Sequence, residues 1–238
     1  MIICGLQNTT LLDYPGHVAA TVFLGGCNFR CPFCHNASIV VDPVNEISQE
    51  ELMAFLVKRK GVLDGVCITG GEPTIYDDLY ELIRNIKELG LLVKLDTNGT
   101  NPKAIRRLVE DKLVDYIAMD IKSSLSGYGK AVGIAGYDTS NIEESVRYIM
   151  ECGVSYEFRT TLVKNIHTLD DMRGIVGLIG GAKAYFLQSY KDNDETIEKV
   201  SINFDGICDC QSFSKEELIE FLDIAKSGVA AASLRGID

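Results

Sequence analysis

Residues 25–36 read GGCNFRCPFCHN, and three thiols, Cys27, Cys31 and Cys34, fall within eight positions. Thiolate is a soft ligand that suits zinc, copper(I) or iron–sulfur. A closed structural zinc site takes four protein ligands. His35 could complete a Cys₃His set, but it directly follows Cys34, an awkward geometry for two ligands on one ion. Structural zinc also favours paired two-residue spacings. A [4Fe–4S] cluster normally takes four thiolates, so three leave one iron open. At catalytic metals a missing protein ligand is a place for substrate. The loop therefore reads first as a cluster with an open iron and second as a zinc site.

Such a loop needs a scaffold that brings other polar groups to it. Apolar runs at 18–24, 65–69, 91–95, 114–122, 155–163 and 184–188 predict strands. Between and after them, helical spacing with caps and stops predicts helices over 48–60, 77–89, 102–111, 141–152, 169–179 and 215–226. Alternating strands and helices imply a parallel sheet with helices outside. Six units are fewer than the eight of a closed barrel, so a partial (β/α)6 TIM-like barrel is expected, with a doubly wound sheet as the alternative. One domain is expected over 1–238. In it, 1–17 form an N-terminal extension, with a turn at Asp13–Gly16 between two short added strands. Residues 18–190 form the barrel core, and 191–238 a C-terminal loop and helix.

In a parallel sheet the carboxyl ends of all strands lie on one side. The cysteine loop follows the first strand, Thr69-Gly-Gly-Glu-Pro73 the second and Asp96-Thr-Asn-Gly99 the third. Met119-Asp-Ile-Lys122 ends the fourth, Arg159 lies in the fifth and Gln188 ends the sixth. Polar groups scattered along the chain are thus expected around one cavity.

Composition narrows the classes. The 238 residues carry a formal net charge of −11, spread along the chain, which makes a phosphate backbone a poor partner. No apolar run reaches the length of a membrane span, and the N-terminus lacks a secretory pattern, so a cytoplasmic location is expected. In a reducing compartment, clustered cysteines read as metal-binding or catalytic rather than as disulfides.

The loop, followed in order by TGGEP, DTNG and DIK, resembles the radical S-adenosylmethionine (SAM) superfamily from about residue 5 to 188. The resemblance implies that Cys27, Cys31 and Cys34 hold three irons of a [4Fe–4S] cluster and that SAM chelates the fourth. It implies that Phe33 lies near the adenine, and that Asn36 and Asn98 touch SAM. Gly70, Gly71 and Glu72 would receive the SAM ammonium through backbone and carboxylate. Lys122, Arg159 and Gln188 would reach its carboxylate or ribose. Asp96, Thr97 and Asp120 resemble a set that binds a monovalent cation beside SAM.

The stretch GLQNTTLLDYPGHVAATVFLGGCNFRCPFCHN is similar to glycyl-radical enzyme activases, in particular those of anaerobic ribonucleoside-triphosphate reductase. That implies reductive SAM cleavage, with flavodoxin or ferredoxin as electron donor, and hydrogen abstraction from a glycine of a partner enzyme. The alternative is a radical SAM enzyme acting on a small molecule or peptide in cofactor or modified-base synthesis. His17 and His167 read as loop or surface residues, and Cys67 and Cys152 as core. Cys4 is the one other cysteine outside the pair Cys208/Cys210, which reads as an exposed loop or as a redox or metal pair.

Overall fold

In the computed structural model, which describes residues 1–192, 196–197 and 209–236, the expected apolar runs become strands. β1 (Ile3–Thr10) runs antiparallel to β2 (Ala19–Leu24). From β2 onward each strand pairs in parallel with the next: β3 (Gly65–Gly70), β4 (Leu92–Thr97), β5 (Tyr116–Asp120), β6 (Ser155–Leu162), β7 (Tyr185–Ser189) and β8 (Ala232–Arg235). The sheet order runs β1 to β8 without a reversal. A doubly wound sheet reverses its order at a switch point, so the partial-barrel expectation holds and the alternative falls. β1 and β8 are edges rather than partners, which leaves the barrel open along one side.

The α-helices that the described residues form are α1 (Ala37–Val41), α2 (Gln49–Arg59), α3 (Leu79–Glu88), α4 (Pro102–Glu110), α5 (Tyr128–Val132), α6 (Ser140–Glu151), α7 (Leu169–Leu178) and α8 (Lys215–Lys226). Their starts are chemically marked. Ser48, Thr168 and Ser214 each close a capping box with the acidic residue three positions on. Asn101 accepts from the Ala104 N–H with Pro102 at the first helical position. Along α3, Leu79, Leu82, Ile83 and Ile86 form the buried stripe, each burial contributing about 1.5–3 kcal/mol. No helix of the described residues is long and apolar enough to cross a membrane.

Two strands differ from the sequence expectation. The first seventeen residues hold one eight-residue strand on the sheet edge rather than two short ones. After α8 comes β8, only four residues long and without an apolar run, so no strand pattern marks it.

Alternation along β6 explains what fills the barrel. Tyr156, Phe158 and Leu162 are buried apolar positions, while Glu157, Arg159 and Thr161 occupy the other face. Glu157, 1% exposed, receives both guanidinium nitrogens of Arg235 from β8 at 2.9 and 3.1 Å, and the Tyr116 hydroxyl at 3.1 Å. The edge strand is thus tied into the interior by an ion pair. Replacing Arg235 by Met strands the Glu157 carboxylate with one neutral donor. We expect a loss of about 1–3 kcal/mol, moderated by the partial exposure of Arg235, read as a lower urea midpoint at unchanged slope.

Candidate active site

The carboxyl ends of β2 to β7 surround a cavity of about 250 Å³. One wall is the cysteine loop. Cys27, Cys31 and Cys34 all reach the cavity as free thiols, with Phe29 and Phe33 between them in the chain and His35 just after. The loop's path is fixed by backbone partners. The Arg30 guanidinium donates to the carbonyls of Cys27 and Phe29 at 2.6 and 2.8 Å, and the Tyr76 hydroxyl donates to Gly25 at 2.8 Å. Burial pushes the Cys27 thiol up to about 11 and Cys31 up to about 12, and Cys34 is raised for the same reason. In the protein alone these sulfurs are thiols at neutral pH, and a metal must supply the charge that makes them thiolates.

No three His, Cys, Asp or Glu side chains of the described residues gather tightly enough to hold a single metal ion. Three thiols lining one cavity suit a polynuclear cluster, whose thiolates bind separate irons. The rest of the wall is polar: Asn36, Thr69, Asn98, Thr161 and Gln188 line it together with charged groups. Thr69 and Thr161 are additions to the expected set. Their position is read from strand alternation, since Thr161 is two residues from Arg159 and Thr69 opens TGGEP. The donor set and the polar wall fit a cluster with one free iron beside a charged, hydrogen-bonding cosubstrate.

Glu72 is the exception among the expected residues. It is fully buried and does not line the cavity. Its Oε1 accepts from the Thr74 N–H at 3.0 Å, the Thr74 hydroxyl and the Thr97 hydroxyl at 2.8 Å, and its Oε2 from the Asn98 N–H at 2.6 Å. Burial pushes its carboxyl above the ordinary glutamate value against these four donors. The carboxylate joins the loop after β3 to the loop after β4 and has no free face for a ligand. The glycines before it serve a related purpose. A Cβ on Gly71 would sit 1.8 Å from the Gly26 carbonyl oxygen, and one on Gly70, whose φ is +113°, would strike the Leu24 backbone. The close approach that demands glycine is therefore between this loop and the cysteine loop, sealed by Gly71 N–H to Leu24 O at 2.7 Å and Glu72 N–H to Gly26 O at 2.9 Å.

The opposite wall is an alternating charge network. Arg159 from β6 donates through Nη1 to Asp96 at 3.0 Å and through Nε to Asp120 at 2.8 Å. Lys122 pairs with the second oxygen of Asp120 at 3.0 Å, and Lys94 with the second oxygen of Asp96. Burial opposes ionisation of both carboxyls. Burial is the largest single effect at each, but Arg159 together with Lys94 at Asp96 and with Lys122 at Asp120 overcomes it, and both sit below the ordinary aspartate value. With depressed folded values, their stabilisation is present above the unfolded aspartate range near 4 and is lost as pH falls below it. Lys122 is held up by Asp120 and by Cys31, against a burial effect that lowers it. The oxygens expected for a monovalent cation are thus already paired, and the Thr97 hydroxyl is bonded to Glu72.

Other expected residues act as latches as well as lining. Asn36 donates to the Gly70 carbonyl at 2.6 Å. Asn98 donates to Asn28 at 2.9 Å, and Asn28 to the Thr100 hydroxyl at 2.8 Å, tying the cysteine loop to DTNG. His167 is corrected from surface to interior. It is 4% exposed, its Nδ1 accepts from the Val163 N–H at 3.0 Å, and its Nε2 lies 2.8 Å from the Lys122 carbonyl, which requires the Nε2–H tautomer. Burial lowers its pKa, so it is neutral. His17 packs edge-on to Tyr14 at 4.7 Å. Cys4 and Cys67 are buried and Cys152 is half-buried at a helix end. Cys210 is buried rather than exposed, and Cys208 lies outside the described residues.

A family model described as the radical SAM superfamily matches residues 21–179. A Methanocaldococcus jannaschii protein named as a glycyl-radical enzyme activating enzyme is 32% identical over 201 residues, 81% of each chain. A Thermococcus kodakarensis protein named as a GTP 3′,8-cyclase is 30% identical over 128 residues, 52% of this chain and 41% of that one. Among solved structures, Streptococcus suis SuiB bound to S-adenosylmethionine superposes with a TM-score of 0.65 at 14% identity, which shows a shared fold. It covers 91% of this chain, while this chain spans about half of SuiB, 52%.

The buried carboxylate offers a direct test. In Glu72→Gln an amide NH₂ must face a donor that the carboxylate accepted. We expect the cluster-free protein to lose about 2–4 kcal/mol in urea unfolding, the cost of unsatisfied buried groups. Unchanged stability would mean that the clamp does not hold these loops.

Proposed function

We infer the activity from one premise: the chain belongs to the radical SAM superfamily. It is an enzyme that activates a glycyl-radical enzyme by removing a hydrogen atom from a glycine Cα, and its partner is anaerobic ribonucleoside-triphosphate reductase. What carries the activase reading is extent. The match to the activating enzyme runs over four fifths of both chains, whereas the match to the cyclase stops near half of each. The N-terminal stretch GLQNTTLLDYPGHVAATVF supports the choice of partner by its resemblance to reductase activases.

With a [4Fe–4S] cluster and SAM bound, the chemistry supplied is one-electron cleavage of SAM followed by hydrogen-atom abstraction. Cys27, Cys31 and Cys34 would hold the cluster and leave one iron for SAM. Gly70 and Gly71 would present backbone to the SAM ammonium; Glu72 acts by holding that backbone in place. Arg159 and Lys122 would attract the SAM carboxylate, with Asn36, Asn98 and Gln188 completing the polar contacts and Phe33 beside the adenine. These groups are fixed before ligand arrives, so little reorganisation accompanies binding. No side chain is needed as a general base. The electron donor is flavodoxin or ferredoxin, and free thiols throughout the described residues suit work in the cytoplasm.

The GTP-cyclase match supports a second reading, a small-molecule substrate. One experiment separates them. The anaerobically reconstituted, reduced protein is mixed with SAM and either a glycyl-radical reductase or GTP. We expect 5′-deoxyadenosine and a glycyl doublet in the EPR spectrum with the reductase. Turnover of GTP with no doublet would assign the second reading. No 5′-deoxyadenosine under any condition would remove both.

A further inference from the structure

Lys94 is an unusual residue for the interior of a barrel strand. It lies mid-β4, its side chain is 2% exposed, and it does not line the cavity. The strand register sets it beside Cys67 on β3 and Tyr116 on β5. Its ammonium pairs with Asp96 Oδ1 and lies 3.7 Å from the Cys67 sulfur. A buried ammonium is costly unless paired, so the position is specified rather than incidental. Around it, each oxygen of Asp96 and Asp120 has a cationic partner: Lys94 and Arg159 on one, Arg159 and Lys122 on the other. The hydroxyl of Thr97 donates to Glu72 and accepts from the Gly99 N–H at 3.1 Å. A hard cation needs several oxygens free of competing charge, and every carboxylate oxygen of this set already carries a protein cation. Three side-chain cations against two carboxylates also leave a positive excess that repels a further cation.

We propose that Lys94 is a built-in cation for this site: its ammonium does for the Asp96 carboxylate what a bound Na⁺ or K⁺ would do, so that SAM binding requires no monovalent metal ion. The residue acts through Asp96 and Arg159 and is a positioning residue. Neutralising Asp96 from behind keeps Arg159 shared between the two carboxylates and oriented toward the cavity it lines. The proposal rests on the reading of this cavity as a SAM site.

The test compares SAM affinity of the reconstituted protein in tetramethylammonium and potassium salts at equal ionic strength, alongside a Tl⁺ titration followed by thallium NMR. For the wild type we expect dissociation constants within about twofold in the two salts and no Tl⁺ binding at Asp96. In Lys94→Met, and in Lys94→Gln should the first variant not fold, affinity should fall about tenfold or more in tetramethylammonium and be rescued by K⁺, with Tl⁺ now bound. Lys94→Arg, which keeps the charge, should remain independent of K⁺. A wild type that needs K⁺ or binds Tl⁺ at this position overturns the proposal, as do neutral variants indifferent to K⁺. If the wild type binds SAM in neither salt, the SAM reading fails on its own, and the Tl⁺ titration of wild type against variant still decides the role of Lys94.

Discussion

The Glu72 carboxylate sits among four donors in the protein interior, all of them neutral. A carboxylate in that setting is stable only while every donor stays in place. Those donors come from its own loop and from the loop after β4, and its backbone is bonded to the cysteine loop. Three segments that are far apart in sequence therefore form one unit. Movement of any of them leaves a buried charge unsatisfied. The cysteine loop is thus held by this buried carboxylate from its neighbour as well as by its own Arg30, Asn28 and Asn36.

The same logic, with charges of both signs, builds the opposite wall. On β4, β5 and β6, alternation and register place Lys94, Asp96, Asp120, Glu157 and Arg159 on one face of the sheet, and Lys122 follows just after β5. A buried ion pair is weak evidence for stability, because desolvation offsets the attraction. Its consistent effect is on geometry. Arg159 bridging two carboxylates has one arrangement, and any group that it presents to the cavity is held there before a ligand arrives. His167 extends this outward, gripping the Lys122 carbonyl from behind without carrying charge.

Much of this was legible in the sequence, and the misses share a cause. The six parallel strands, their helices and the cavity edge follow from local patterns: apolar runs, capping boxes and glycine stops. The four-residue β8 has no such pattern; its place is set by pairing with β7 and by Arg235 reaching Glu157 on a distant strand. Glu72 reads as a ligand contact because it stands in TGGEP, yet a side chain's direction from a turn depends on partners that the sequence does not place beside it. His167 looked like a loop residue because it follows β6, and only the packing of Val163 and Lys122 around it makes it interior. Lys94 lies inside the apolar run at 91–95, where nothing local marks it. Its value to the site comes from Asp96 two residues on, a pairing that strand alternation allows but does not announce.

Charge balance links the two walls. The thiols carry no charge at neutral pH in the protein alone, with Cys27 raised to about 11 and Cys31 to about 12 by burial. Iron binding would convert them to thiolates and add negative charge to that wall. The facing network already holds three cations to two carboxylates. Lys122 sits close enough for Cys31 and Cys34 to raise its pKa. The positive excess therefore lies where the thiolates would need it, and where an anionic cosubstrate group would be drawn. Had the Asp96 carboxylate no internal partner but Arg159, that excess would vanish and both effects would weaken. The polar interior of the barrel is best understood as a counter-charge assembled in advance, with the fourth strand's lysine setting its sign.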